Sequence, residues 1–111
     1  MEKVSAGGVA YKCTNGEQVT ITFTANDTDL RVTYRFEDED TSNIVQGNSL
    51  TFTIEKPLRI LRVFFHFINE AGTGGSYDVI LSGSAGGEFP DPPPVLQAAD
   101  FVPFRRYAFV L

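Results

Sequence analysis

Between Leu58 and Ile68 the chain reads LRILRVFFHFI, its most apolar stretch and the one richest in β-branched and aromatic residues. Apolar side chains recur there at period two: Leu61, Val63, Phe65 and Phe67 fall on one face, and Arg62, Phe64, His66 and Ile68 on the other. The first face predicts core. A strand apolar on one side and half-apolar on the other belongs near the middle of a sheet, with something partly covering its outer surface.

The same alternation organises the rest of the chain. Val9, Tyr11 and Cys13 predict a short strand that Asn15-Gly16 turns into the next. In QVTITFT, Gln18 to Thr24, the residues Val19, Ile21 and Phe23 face inward and three threonines face out; Asn26 to Asp29 then makes a polar turn. Leu30 to Phe36 repeats the pattern, with Arg31, Thr33 and Arg35 outward. Glu37 through Asn48 has too little apolar content for anything but a loop. Leu50, Phe52 and Ile54 predict another strand, and Lys56-Pro57 a tight connection into the central stretch. Asn69 to Ser76 is glycine-rich hairpin material leading to Tyr77, Val79 and Leu81. From Ser84 to Asp100 the pattern breaks around Pro90-Asp91-Pro92-Pro93-Pro94, which favours extended geometry and admits one helical turn capped by Asp91. Phe104 to Leu111 is apolar enough to require pairing inside a sheet.

Seven or eight short strands with close turn signals and no helical period predict an all-β chain, an antiparallel β-sandwich of immunoglobulin-like or jelly-roll architecture. With 111 residues, a single domain spanning 1–111 can bury an adequate core without staples. The lone cysteine, Cys13, excludes an intrachain disulfide and leaves the compartment open. The opening MEKVSAGGVA has neither the basic nor the apolar region of a secretory signal, and no apolar run approaches the roughly 20 residues that span a bilayer. Fourteen acidic residues against nine basic ones give a net charge of -5, and the cations are scattered among carboxylates along the sequence, so nucleic acid is not an expected partner.

Catalytic chemistry has little material. His66 is the only histidine, Cys13 lies at inward parity, and neither has an acid beside it in sequence, so the chain reads as non-catalytic. Carboxylates gather in two loops, at Asp27 and Asp29 and at Asp38 and Asp40, where Ca²⁺ could find oxygen ligands, although solvated acidic loops serve solubility as well. A strand of about seven residues separates the two clusters, which argues against a shared ion. The expected function is a binding or assembly module for a protein partner or a second copy; the alternative is a small-ligand or carbohydrate module, calcium-assisted. The residues expected to form its surface are Arg62, Phe64, His66, Phe89 and Phe101. Ile60, Phe64 and Ile68 need a cover, for which the segment from Phe89 to Pro103 is the first candidate and a second molecule its rival. An aromatic-lined concavity would favour the ligand reading and a flat apolar patch the protein one.

Overall fold

The computed structural model describes residues 1–4, 10–25, 30–67, 75–91, 95–96 and 104–111. Its strands are β1 (Glu2–Lys3), β2 (Ala10–Lys12), β3 (Gln18–Ala25), β4 (Leu30–Phe36), β5 (Asn43–Ile44), β6 (Ser49–Thr53), β7 (Leu58–Phe67), β8 (Gly75–Gly83), β9 (Glu88–Asp91), β10 (Val95–Leu96) and β11 (Phe104–Val110). Among the described residues there is no helix. Three strands are only two residues long; of the eight longer ones, alternation anticipates all but β9.

Two sheets pack into a β-sandwich. One has six strands in the order β1-β2-β11-β7-β4-β5; the other runs β10-β8-β3-β6, with β9 and β10 both on the free edge of β8. The central stretch is central in space, since β7 lies between β11 and β4. All described pairings are antiparallel except that of β2 with β11, where Ala10 stands opposite Ala108 and Lys12 opposite Val110. That one parallel ladder departs from the all-antiparallel expectation, because strands from the two ends of the chain meet there without a hairpin to set their direction.

The chain crosses repeatedly from one sheet to the other, and this corrects two expected hairpins. Asn15-Gly16 does turn, with Gly16 at φ 84°, but it carries β2 of the six-stranded sheet into β3 of the other. Likewise β7 and β8 belong to opposite sheets and are not the arms of a hairpin; the connection at 68–74 lies outside the described residues. Turn composition marks a change of direction without saying where the next strand goes.

The expected core faces hold wherever the side chains are described. Val19, Ile21 and Phe23 of β3, Leu61, Val63 and Phe65 of β7, Val79 and Leu81 of β8, and Tyr107 and Phe109 of β11 are all buried. Aromatic rings knit the layers: Phe52 of β6 lies 5.1 Å from both Phe36 and Phe109, and Phe65 lies 6.1 Å from Phe23. Edge-on ring pairs of this kind add stability beyond the area they bury.

The proline-rich region also differs from expectation. Gly86 and Gly87, at φ 113° and 93°, turn β8 back as β9, a conformation that an L side chain rarely adopts. Pro90 is tolerated because it stands opposite Ile80 at a non-bonded pair, with bonded pairs on either side of it, so its missing N–H faces away from β8. Asp91 is therefore a strand residue, and 92–94, where the expected helical turn would start, lie outside the described residues. Phe89 stands opposite Leu81, faces the interior and packs 5.5 Å from the Tyr11 ring, which removes it from the outer surface assigned to it.

Candidate functional site

Residues paired directly across a sheet lie side by side on one face, so the register of the six-stranded sheet places its outward side chains in rows. Arg35, Arg62 and Arg106 form one row across β4, β7 and β11. Ile44, Thr33, Phe64 and Phe104 form the next across four strands, and Arg31 and His66 the one beyond. With Lys12 on β2, this face carries Arg31, Arg35, Arg62 and Arg106, five of the chain's nine Lys and Arg residues. The four arginines, scattered along the sequence, thus converge in adjoining rows, with Lys12 at the Leu58 end of the same face, although the chain as a whole is acidic.

Phe64 and Phe104 make the apolar centre. Their ring centroids are 5.9 Å apart, and Phe104 is 54% exposed. Beside them, Glu37 Oε2 accepts hydrogen bonds from Arg106 Nε at 2.8 Å and Arg62 Nε at 3.1 Å. The Arg106 hydrogen bond, helped by that of Arg62, holds the Glu37 carboxyl below the usual range against partial desolvation. Arg35 Nη1 donates to the Glu39 carbonyl at 3.0 Å. His66 Nε2 and Thr33 Oγ1 share a hydrogen bond of 3.0 Å, and burial, reinforced by the charge of Arg31, pushes the imidazole pKa down.

Of the residues expected on this surface, the structure brings together Arg62, Phe64 and His66, sends Phe89 inside, and leaves Phe101 outside the described residues. The proposed cover fares similarly. In its described part, β9 and β10 join β8 in the opposite sheet, with β10 also close to β7, while 92–94 and 97–103 lie outside the described residues; Phe104 packs on Phe64. Strand pairing gives that segment backbone partners that lying over a finished sheet would not.

The carboxylate loops divide. Asp27 and Asp29 lie outside the described residues. Asp38 is ion-paired with Lys56 and lies 3.9 Å from Arg59, and Asp40 is exposed. Among the described residues no three His, Cys, Asp or Glu side chains form a group able to hold a metal ion.

A second polar cluster escaped the sequence reading. Glu17, its side chain wholly buried, accepts from the Met1 ammonium at 3.0 Å and from the backbone N–H of Thr14 at 2.9 Å and Ala85 at 3.3 Å. Burial opposes its ionisation, but these donors hold its pKa below the usual range. Its parity with Val19, Ile21 and Phe23 was the one available signal that it points inward. Alongside runs a cleft of about 440 Å³ between the Lys12–Thr14 backbone and the Ala85–Gly87 turn. No aromatic side chain lines it. Cys13 borders the cleft, but burial first, and then the charge of Glu17, pushes its thiol up to about 11. The Cys13 backbone bonds to Val110 at the Leu58 end of β7, whereas His66 lies at the far end and on the outer face, so the two cannot act as a nucleophile and its base.

Compared with known proteins, the chain matches no family model, no curated protein and no solved structure. No helix among the described residues is long and apolar enough to cross a membrane.

Proposed function

We propose that the protein is a non-catalytic interaction module that docks an acidic protein surface on the outer face of its six-stranded sheet. The observation that carries this reading is the convergence of four arginines, Arg31, Arg35, Arg62 and Arg106, in the rows on either side of the Phe64–Phe104 pair in a chain of net charge -5. Arginine and aromatic side chains are the residues most enriched at protein interfaces, because each offers a large contact area with little hydration to lose. Glu37 supplies the chemical argument for the partner: one carboxylate already receives both Arg62 and Arg106. Glu37 and the net negative charge oppose any anion, and they oppose a polyphosphate strand, with a charge at every nucleotide, more than a protein surface that brings a few carboxylates to the arginines. A sugar-binding role is less favoured, since the cleft offers no aromatic platform and the aromatic pair lies on a sheet face. The order β2-β11-β7-β4-β5, with β2 parallel to β11, supports the immunoglobulin-like variant of the sandwich over the jelly roll.

The test is an amide NMR titration with an oligo-glutamate peptide, single-stranded oligo-dT and cellohexaose as separate probes. The peptide is expected to shift resonances of β4, β7 and β11, to leave β3 and β6 unmoved, and to lose its effect when Arg62 and Arg106 are both replaced by Ser. Shifts from the oligonucleotide or the sugar on this face, or none from the peptide, would overturn the reading.

A further inference from the structure

We infer that the free edge of β6 pairs with β6 of a second copy of this chain, joining two five-stranded sheets across a two-fold axis at Thr51. This surface is separate from the cationic face and stands or falls independently of it.

β6 is the last strand of its sheet, and among the described residues nothing pairs with its outer edge. Its ladder with β3 fixes which backbone groups point outward. Ile54 N–H bonds to the Glu17 carbonyl at 2.9 Å and Phe23 N–H to the Asn48 carbonyl at 2.7 Å. In an antiparallel ladder hydrogen-bonded pairs alternate with non-bonded ones, so Leu50 and Phe52 also bond to β3. Ser49, Thr51 and Thr53 then direct their N–H and C=O groups to solvent. The 3.0 Å contact between the Thr20 and Thr51 hydroxyls is what a close, non-bonded pair produces, and confirms the phase.

Natural sheets blunt such edges with charge, proline, bulges or extreme shortness. The five residues of β6, SLTFT, contain no charge and no proline, and each pairs one-to-one with β3 without a bulge. By contrast the opposite edge of the same sheet ends in the proline-bearing β9 and the two-residue β10.

The edge is also complementary to itself. About a two-fold at Thr51, each copy's Thr51 N–H meets the other's Thr51 carbonyl, and Ser49 exchanges both bonds with Thr53. All six outward groups of each strand are satisfied, with none left over. Beyond the strand, Glu55 falls opposite Gly47 and Lys56 opposite Gln46, so no like charges face each other. Leu50, a partly buried hydrophobic of this strand, gains cover from the second copy. A heterologous strand would have to supply this match of length, charge and register; a second copy carries it already.

The test is solution mass by light scattering from micromolar to millimolar protein, with two variants that act at Thr51. Thr51→Lys sets like charges directly opposite in the dimer while keeping every backbone bond to β3. Thr51→Cys places two thiols across a bonded pair, where the Cα separation of roughly 5.5 Å suits a disulfide. The expected results are a concentration-dependent dimer for the wild type, a monomer with unchanged circular dichroism for Thr51→Lys, and a rapidly oxidised covalent dimer for Thr51→Cys but not for the control Thr24→Cys. A wild type monomeric throughout, a Thr51→Lys variant still dimeric, or equal oxidation of the two cysteine variants would each overturn the proposal.

Discussion

Tyr107 donates its phenol hydrogen to Asp91 Oδ2 at 2.8 Å, joining β11, inside the six-stranded sheet, to the edge strand β9 of the other sheet across the buried core. Arg105 Nε lies 3.3 Å from the same oxygen. Burial, then the charge of Asp91, pushes the Tyr107 phenol far above its ordinary pKa, so the hydroxyl remains a donor at any pH at which the fold persists. Hydrogen bonds to ionised groups contribute about 1.5–3 kcal/mol, and removing one partner of a buried set costs more than the bond itself. Tyr107→Phe is therefore expected to lose about 1.5–3 kcal/mol, and Asp91→Ala more than Tyr107→Phe. Urea unfolding of both and of the double variant checks this; strictly additive losses would show that the two side chains do not interact.

The inner and outer faces of the strands differ enough for substitution to separate them. Phe65 is wholly buried, so Phe65→Ala is expected to cost about 3–5 kcal/mol, whereas Thr22→Ala on the outer face of β3 should stay within about 0.5 kcal/mol. Similar denaturation midpoints would mean that the faces are wrongly assigned.

His66 makes stability depend on pH. Its folded pKa lies below the unfolded value of about 6.5, so the unfolded chain binds more protons as pH falls through that value. Its contribution is fully present above about pH 6.5 and is lost as pH falls through the folded pKa. Replacing His66 by Gln should flatten the unfolding free energy between neutral and mildly acid pH, while the losses at lower pH that come from Glu17 persist. An unchanged slope in His66→Gln would refute the assignment.

Glu17 and Glu37 are opposite cases of a carboxylate among donors. Glu17→Ala strands the buried Met1 ammonium and removes the acceptor of the Thr14 and Ala85 N–H groups, and a loss of about 3–5 kcal/mol is expected, as when a buried pair is broken from one side. Glu37→Gln acts at the surface and releases Arg62 and Arg106. It is expected to tighten oligo-glutamate binding severalfold with the melting temperature nearly unchanged; weaker binding would make Glu37 part of the recognition instead of its competitor.

Parity was legible in the sequence because it is local, and adjacency was not. Arg31, Arg35 and Arg62 are outward at period two on their own strands, as is Arg106, but only the order β4-β7-β11 makes them one patch. That order depends on contacts between residues far apart in the chain, on which alternation is silent. The same limit explains β9: Glu88 to Asp91 carries a proline and one large apolar residue, too little to announce a strand, and becomes one because β8 offers it a free edge. Residues 43–44 likewise read as loop and are drawn into pairing by β4. Phe89 was misplaced for this reason, since its direction is fixed by standing opposite Leu81.

The position of β11 governs when the fold can form. Its seven residues lie between β7 and β2, so without them the six-stranded sheet falls into two pieces with unpaired inner edges. On a ribosome β2 and β7 emerge long before their shared partner, with Leu61, Val63 and Phe65 already in search of cover. Contacts this distant in sequence make folding slow, and a half-built sheet is open to aggregation while it waits. The interval between synthesis of Phe67 and Phe104 is thus when this protein has most need of a chaperone.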